Sequence, residues 1–157
     1  VSFTVDDPQT LTFDMYADDW KLFRYRYGRH WQDYQLSLRV NITETSDEYE
    51  ELRIHFREAG GSSYLFELNV AADGLIGFRL DEGESSSNFL TSAPYAIELN
   101  NWYNIMVEAH GDRLTAFIDG EQVLEVNDAT LSHGTIAFLA SPDAKVQITD
   151  IRIEQYD

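Results

Sequence analysis

Residues 101–126, NWYNIMVEAHGDRLTAFIDGEQVLEV, decide the fold. Apolar and polar side chains alternate in three short runs, at 102–109, 113–118 and 122–126, and this period of two is typical of a strand with one buried face. The pair Asp119-Gly120 separates the second and third runs. It favours a type I′ turn, which needs positive φ at both central residues. We therefore predict three consecutive antiparallel strands joined by tight turns.

The same alternation continues on both sides of this meander. No segment repeats its apolar residues with the period of a helix. Residues 89–99 contain a proline and are predicted to be irregular or an edge strand. About a dozen short strands at this spacing predict an all-β, antiparallel sandwich or barrel in one domain over residues 1–157. The other predicted strands are 1–5, 11–16, 21–27, 34–42, 52–57, 64–70, 75–80, 134–140 and 146–154.

Charge and composition exclude several classes of function. The net charge is −17 and only two of the 11 basic residues are lysine, so bulk attraction to nucleic acid or anionic lipid is not expected. Without cysteine there is neither a disulfide nor a thiolate metal site. No apolar run reaches the roughly 18 residues that span a bilayer. This composition fits an acidic extracellular or cell-surface domain whose leader is absent from the given chain.

The order of features resembles the concanavalin A-like lectin/glucanase superfamily, and laminin-G-like domains of bacterial surface or secreted proteins in particular. The resemblance covers about residues 11–154 and implies a jelly roll of two curved antiparallel sheets. Most matching positions are core or turn residues, so they indicate fold more than function. The matching residues are Phe13-Asp14 with Trp20, Asp33-Tyr34-Gln35-Leu36, Ile54-His55-Phe56-Arg57 with Tyr64 and Phe66, Asn101 to Ile105 with Asp119-Gly120, Gly134 to Phe138, and Ile148 to Ile153.

Catalytic motifs are missing. Glucanases of this superfamily carry E-x-D-x-E or E-x-D-x-x-E on a strand, which supplies paired carboxylates to a glycosidic bond. The acidic run at 47–51 has different spacing and is predicted to be a solvated loop. The four histidines form neither a metal-ligand spacing nor a nucleophile motif. We therefore predict no enzyme of the glucanase type.

Arginines concentrate on the predicted outward faces. If 35–42, 52–57, 64–70 and 75–80 are sheet neighbours, their outward sides pool four of the nine arginines with other polar groups. Guanidinium groups bind polyols and carboxylated sugars through bidentate hydrogen bonds. The alternative is a solvated or covered face with Arg–Glu pairs. The pooled residues are Arg39, Arg53, His55, Arg57, Glu67, Asn69 and Arg79.

Aromatic side chains form a second candidate binding feature. Tyr25, Tyr27, Trp31 and Tyr34 cluster around one turn. Trp31 has no place in a core pattern, and exposed aromatic groups often mark binding sites. We therefore add Trp31 and Tyr25 to the predicted ligand-binding residues. Trp20 and Trp102 are predicted to be core or sheet-closing residues instead.

Calcium is a possible structural ion. The resemblance implies an ion where the first and last strands meet, and Asp14 and Asp150 match the family's opening and closing aspartates. Asp18 and Asp19 are nearby in sequence and could contribute oxygen ligands. A turn cap or an ion pair with an arginine would explain Asp150 equally well. No cofactor is expected to be required.

Three functions follow in order of preference. The first is a non-catalytic extracellular binding module for a glycan or surface polysaccharide. The second is a structural domain of a surface assembly, whose faces and edges meet protein neighbours. The third is a glycan-acting hydrolase with a non-standard site.

Overall fold

The computed structural model describes residues 3–7, 10–17, 22–45, 52–70, 74–83, 88–141 and 144–156, which contain strands and turns but no helix. Asp18, Asp19, Trp20 and the acidic run at 47–51 lie outside these ranges. The strands are β1 (Phe3–Asp7), β2 (Thr10–Ala17), β3 (Leu22–Arg24), β4 (Tyr34–Glu44), β5 (Leu52–Ala59), β6 (Ser62–Leu68), β7 (Leu75–Asp81), β8 (Phe89–Pro94), β9 (Trp102–His110), β10 (Arg113–Ile118), β11 (Glu121–Asn127), β12 (Thr135–Ala140) and β13 (Lys145–Gln155).

The strands form two antiparallel sheets, which confirms the predicted β-sandwich. One sheet has seven strands in the order β1-β2-β13-β4-β9-β10-β11, and the other has six in the order β3-β12-β5-β6-β7-β8. The core lies between them, because the central strands, such as β4, β5 and β9, turn their apolar alternate positions inward. Leu36 and Val40 of β4 and Ile54 of β5 are essentially unexposed, and each such side chain contributes roughly 1.5–3 kcal/mol by burial.

The central meander forms as predicted. Strand β9 pairs with β10 and β10 with β11. Asp119 and Gly120 have φ values of 51° and 83°, the positive values that a type I′ turn requires. The N–H of Asp119 also donates to the carbonyl of Asn104 at 2.8 Å. The turn residues therefore set the register of this part of the seven-stranded sheet.

A β-bulge near the end of β5 interrupts the alternation. Between Phe56 and Ala59 the strand advances three residues while its partner β6 advances two. Arg57 has φ 47°, which is uncommon for a residue with a side chain. The extra residue lets Arg57 follow Phe56 into the interior. The Oε2 of Glu58 lies 3.1 Å from the Nε of Arg24 in β3. The predicted outward position of Arg57 is therefore wrong, because a bulge shifts the side-chain period.

Sheet membership differs from the prediction in one place. Strand β4 lies in the seven-stranded sheet, whereas β5, β6 and β7 are neighbours in the six-stranded sheet. Strand β8 is an edge strand, as predicted. The strand predicted at 21–27 ends at Arg24. Among the described residues no helix could cross a membrane.

Candidate functional site

The outer face of the six-stranded sheet carries a buried carboxylate between two arginines. Arg53 lies directly opposite Glu67 in the ladder between β5 and β6, and Arg79 lies opposite Leu65 on the other side of β6. The Nε of Arg79 donates to Oε2 of Glu67 at 2.9 Å, and the Nε of Arg53 is 3.4 Å from Oε1. The Glu67 side chain is 2% exposed, against 30% for Arg53 and 21% for Arg79. The carboxylate therefore fixes two partly exposed guanidinium groups.

An aromatic ring extends this face toward the edge of the sheet. The Cζ of Arg79 lies 3.6 Å from the centroid of the Phe89 ring, a cation–π contact. Below the ring is Gly77, where an added Cβ would be 2.3 Å from ring carbons. Gly77 is needed here because only a residue without a side chain leaves room for Phe89. The result is a flat stack of a ring and a guanidinium beside the buried carboxylate.

His55 occupies the same face, two residues after Arg53 on β5. Its Nδ1 is 2.9 Å from the Ser63 hydroxyl, and its buried Nε2 has no hydrogen-bond partner among the described residues. Burial lowers the pKa of His55 from its ordinary 6.5 to about 4; Asp81 opposes the shift, and Arg53 and Arg24 add to it. His55 is therefore a neutral imidazole at pH 7 with one ring nitrogen unused.

The structure thus brings together four of the predicted ligand-binding residues: Arg53, His55, Glu67 and Arg79. Arg57 is not among them. Its side chain is 1% exposed and lies at the end of the sandwich, where it donates from Nε to the Gln32 carbonyl at 3.0 Å and from Nη2 to Asp33 at 3.1 Å. Its Nη1 donates to the carbonyls of Gly111 at 2.7 Å and Leu131 at 3.0 Å. Arg57 holds loops together and offers no donor to that face.

Arg39 is also on another face. It belongs to β4 of the seven-stranded sheet, where its Cζ lies 5.0 Å from the centroid of the Trp102 ring. Its Nη1 is 3.9 Å from Oδ2 of Asp150. Trp102 is 39% exposed, so the prediction that it is a core or sheet-closing residue is wrong. Arg39 and Asp150 line a shallow pocket of about 370 Å³ that is separate from the face of the other sheet.

The two aromatic candidates pack into the body of the protein. Trp31 and Tyr25 stack at 5.5 Å with an interplanar angle of 15°, and Trp31 meets Tyr34 edge to face at 5.7 Å. Both are half-buried and pack against the core. The expectation that Trp31 lacks a packing role is therefore wrong. Tyr27 is the exposed member of the cluster, at 73%.

The calcium prediction stays a prediction. Asp150 has φ 52° and lies in a register shift of β13 between Ile148 and Ile151, facing the stretch of β2 that contains Asp14. The described residues hold no group of three or more His, Asp or Glu side chains arranged to bind a metal. The Asp150 side chain is near Arg39, as the alternative of an ion pair expects.

Two residues of these candidate sites, Phe89 and Arg24, were not predicted from the sequence. Phe89 begins a segment predicted to be irregular or an edge strand, and that prediction does not say which face of a sheet the ring joins. Arg24 pairs with Glu58 through the bulge, which sequence alternation does not reveal. A glycine facing an aromatic residue on adjacent predicted strands, as Gly77 faces Phe89, is the one signal that could have indicated the stack.

Residues 17–154 match the sequence model of a family described as the 3-keto-alpha-glucoside-1,2-lyase-like domain. No curated protein sequence matches the chain.

Several solved structures are similar in fold. One is the carbohydrate-binding module CBM66 from Bacillus subtilis, with a TM-score of 0.76 and 17% identity over 98% of this chain and 100% of that one. Another is the galectin LEC-6 from Caenorhabditis elegans, with a TM-score of 0.66 and 12% identity over 94% of this chain and 99% of that one. A third is the Aspergillus kawachii beta-fructofuranosidase, with a TM-score of 0.69 and 10% identity over 93% of this chain but only 27% of that one. These likenesses confirm the concanavalin A-like jelly roll.

Proposed function

The chain belongs to the 3-keto-alpha-glucoside-1,2-lyase-like domain family, and from this membership we propose that it binds glycans on the outer face of its six-stranded sheet. The observation that carries the proposal is the arrangement of Arg53 and Arg79 on the buried Glu67, with Phe89 stacked beside them. The setting proposed is extracellular or at the cell surface, and the role is recognition without catalysis.

The chemistry of the face suits a sugar. Hydroxyl groups accept hydrogen bonds from guanidinium N–H groups, and a planar guanidinium presents several donors in a fixed geometry. Ordering these side chains would cost little of the free energy of glycan binding, because Glu67 and Phe89 already hold them. A carbohydrate-binding module and a galectin share the fold, which supports the proposal by analogy.

A glycan array tests this proposal. We expect wild-type protein to bind at least one glycan class and Phe89→Leu to weaken that binding, since the change removes the ring but keeps both ion pairs of Glu67. Arg79→Gln should weaken it further. The matched control is Arg152→Gln, an exposed arginine of β13 in the other sheet. Binding that is unchanged in Phe89→Leu and Arg79→Gln would contradict the assignment of this face.

A second function is favoured by His55. In a 3-keto-glucoside the ketone makes the hydrogen on C2 acidic. A base that removes this proton forms the C1–C2 double bond while the C1–O bond breaks and its electrons leave with the C1 substituent. This alkoxide then takes a proton from the protonated base or from water and is released as an alcohol. His55 Nε2 is neutral at pH 7 and has no described partner. Because it is buried, it could accept that proton only after the side chains that cover it move. Arg53 on the same strand would stabilise the negative charge that develops on the ketone oxygen.

The lyase reaction has its own test. Methyl 3-keto-α-glucopyranoside would be incubated with the protein in deuterated water and followed by proton NMR. A lyase releases methanol and exchanges the C2 hydrogen, and both signals should be lost in His55→Gln. The absence of release and exchange with wild-type protein would leave binding as the function of this face.

A further inference from the structure

A second cleft, rich in arginine, lies at one end of the six-stranded sheet. Its volume is about 530 Å³. The turn after β3, the tip of the β5–β6 hairpin and the segment before β12 form its walls. It contains three of the protein's nine arginines against one described carboxylate, in a molecule with a net charge of −17. The arginine, histidine and acidic side chains of the lining are Arg24, Arg26, Arg29, His30, Glu58 and His133.

The one carboxylate that the described residues bring to the cleft is already engaged. Glu58 is nearly buried and accepts from the Nε of Arg24 at 3.1 Å. Arg26 and Arg29 are exposed, and no ion pair joins either of them to the rest of the described chain. Two guanidinium groups without an ion pair in the described part of the chain therefore face one concave space, and their charge can attract a ligand.

The turn that carries these arginines is braced from several sides. The Thr135 hydroxyl lies 3.0 Å from the carbonyl of Tyr25 and 2.6 Å from that of Tyr27. The N–H of Tyr25 donates to the Ile136 carbonyl at 3.0 Å. The Trp31 N–H donates to the Gly28 carbonyl at 3.1 Å. A surface turn of this kind is usually mobile, but these bonds fix its backbone before any ligand arrives.

The cleft is close to the glycan-binding face proposed above. Arg24 lies opposite Ala137, and Ala137 lies opposite His55 in the next ladder. Two steps between neighbouring strands amount to about 10 Å. A ligand of a few sugar rings could therefore contact the face and reach the cleft.

We infer that this cleft binds the negatively charged group, carboxylate or sulfate, of an acidic sugar. The inference rests on the proposed glycan-binding function and deepens it by naming the ligand class. Arginine suits the role because its planar fork matches the geometry of an oxyanion. The surrounding charge of −17 repels long polyanions, so the cleft is suited to a single charged group on a short or terminal sugar.

The test compares sugars that differ only at C6. Binding of D-glucuronate, D-glucose 6-sulfate and D-glucose would be measured by NMR titration of the arginine Nε–H signals. We expect the charged sugars to bind about tenfold more tightly than glucose, the contribution of one charge-assisted contact. Arg26→Gln/Arg29→Gln should abolish this preference, and the control Arg113→Gln, an exposed arginine of β10, should keep it. Preference for only one charged sugar would identify carboxylate or sulfate as the group.

Several results would overturn the inference. One is a wild-type protein that binds charged sugars no more tightly than glucose, and another is a preference that survives Arg26→Gln/Arg29→Gln. A third is inorganic sulfate binding as tightly as both charged sugars, which would make the cleft a site for a free ion. Each is distinguishable from failure of the proposed function, because the array with Phe89→Leu reports on the sheet face alone.

Discussion

Arg57→Met should strongly destabilise the protein. The methionine keeps the aliphatic part of the side chain but removes four hydrogen bonds to Gln32, Asp33, Gly111 and Leu131. Hydrogen bonds to charged groups each contribute about 1.5–3 kcal/mol, but the partners are only partly buried and water will satisfy some of them after the change. Reduced for that water, the four hydrogen bonds together contribute about 3–5 kcal/mol. We expect a loss in this range, which lowers Tm by roughly 10 °C in a domain of this size.

Urea denaturation followed by tryptophan fluorescence measures this loss. The matched control is Arg113→Met, because Arg113 is 53% exposed and its ion pair with Glu125 is on the surface. Such pairs contribute about 0–1 kcal/mol, so the control should unfold almost as wild type does. A midpoint for Arg57→Met as close to wild type as that of the control would refute the role assigned to the buried guanidinium.

Two further variants test the bulge itself. Arg57→Ala and Arg57→Gly both remove the side chain, and they differ in the cost of the positive φ of 47°. Glycine adopts this conformation freely, whereas alanine pays about 1 kcal/mol or more. Arg57→Gly should therefore be the more stable of the two. The opposite order would mean that the backbone conformation assigned to the bulge is wrong.

Three other outcomes are expected. The His55 pKa of about 4 lies below its unfolded value, so the unfolded state takes up a proton first as the pH falls. Between pH 7 and pH 4.5 the free energy of unfolding of wild type should therefore fall by about 2 kcal/mol relative to that of His55→Gln. Parallel stability curves for the two proteins would contradict the burial of this imidazole. Gly28→Ala places a Cβ 2.5 Å from the Trp31 ring at φ 81°, so it should change the near-UV circular dichroism spectrum and lower the free energy of unfolding by about 2–3 kcal/mol. The control Gly60→Ala also has positive φ but open space around the added Cβ, so it should destabilise less and leave the spectrum unchanged. Tyr64→Phe removes hydrogen bonds to the neighbouring loop and should lower the free energy of unfolding by about 1–3 kcal/mol in urea; an unchanged midpoint would show that water replaces these bonds.

The fold was predictable because it depends on local signals. Alternating side chains in β4, β9 and β10 and the Asp119-Gly120 turn each act within a few residues. Register and face follow from a period of two as long as no residue is inserted. The sequence therefore predicts strands, turns and most inward faces.

The candidate site was only partly predictable, and the reasons are physical. Alternation says which side of a strand a residue occupies but not which sheet the strand joins, so Arg39 was placed with the wrong neighbours. A bulge changes the period without a distinctive residue, so Arg57 was placed outside. Trp31 lies in a turn that is held by the N–H of Gly134, far along the chain, which donates to the Trp31 carbonyl at 2.9 Å. Long-range pairings of this kind leave no local signal.

The bulge in β5 also determines how the chain would respond to a lost residue. Without Arg57, Phe56 would be followed directly by Glu58, and a regular strand would still place the first inward and the second outward. Without Glu58 instead, Arg57 would take the outward position and meet Arg24 with the same sign of charge. Both deletions would lose the hydrogen bonds of the buried guanidinium. Loss of Arg57 would still keep Glu58 beside Arg24 in the wall of the arginine-rich cleft, whereas loss of Glu58 would also place two positive charges together. Two adjacent codons at this point of the strand thus differ in their tolerance to deletion by this repulsion.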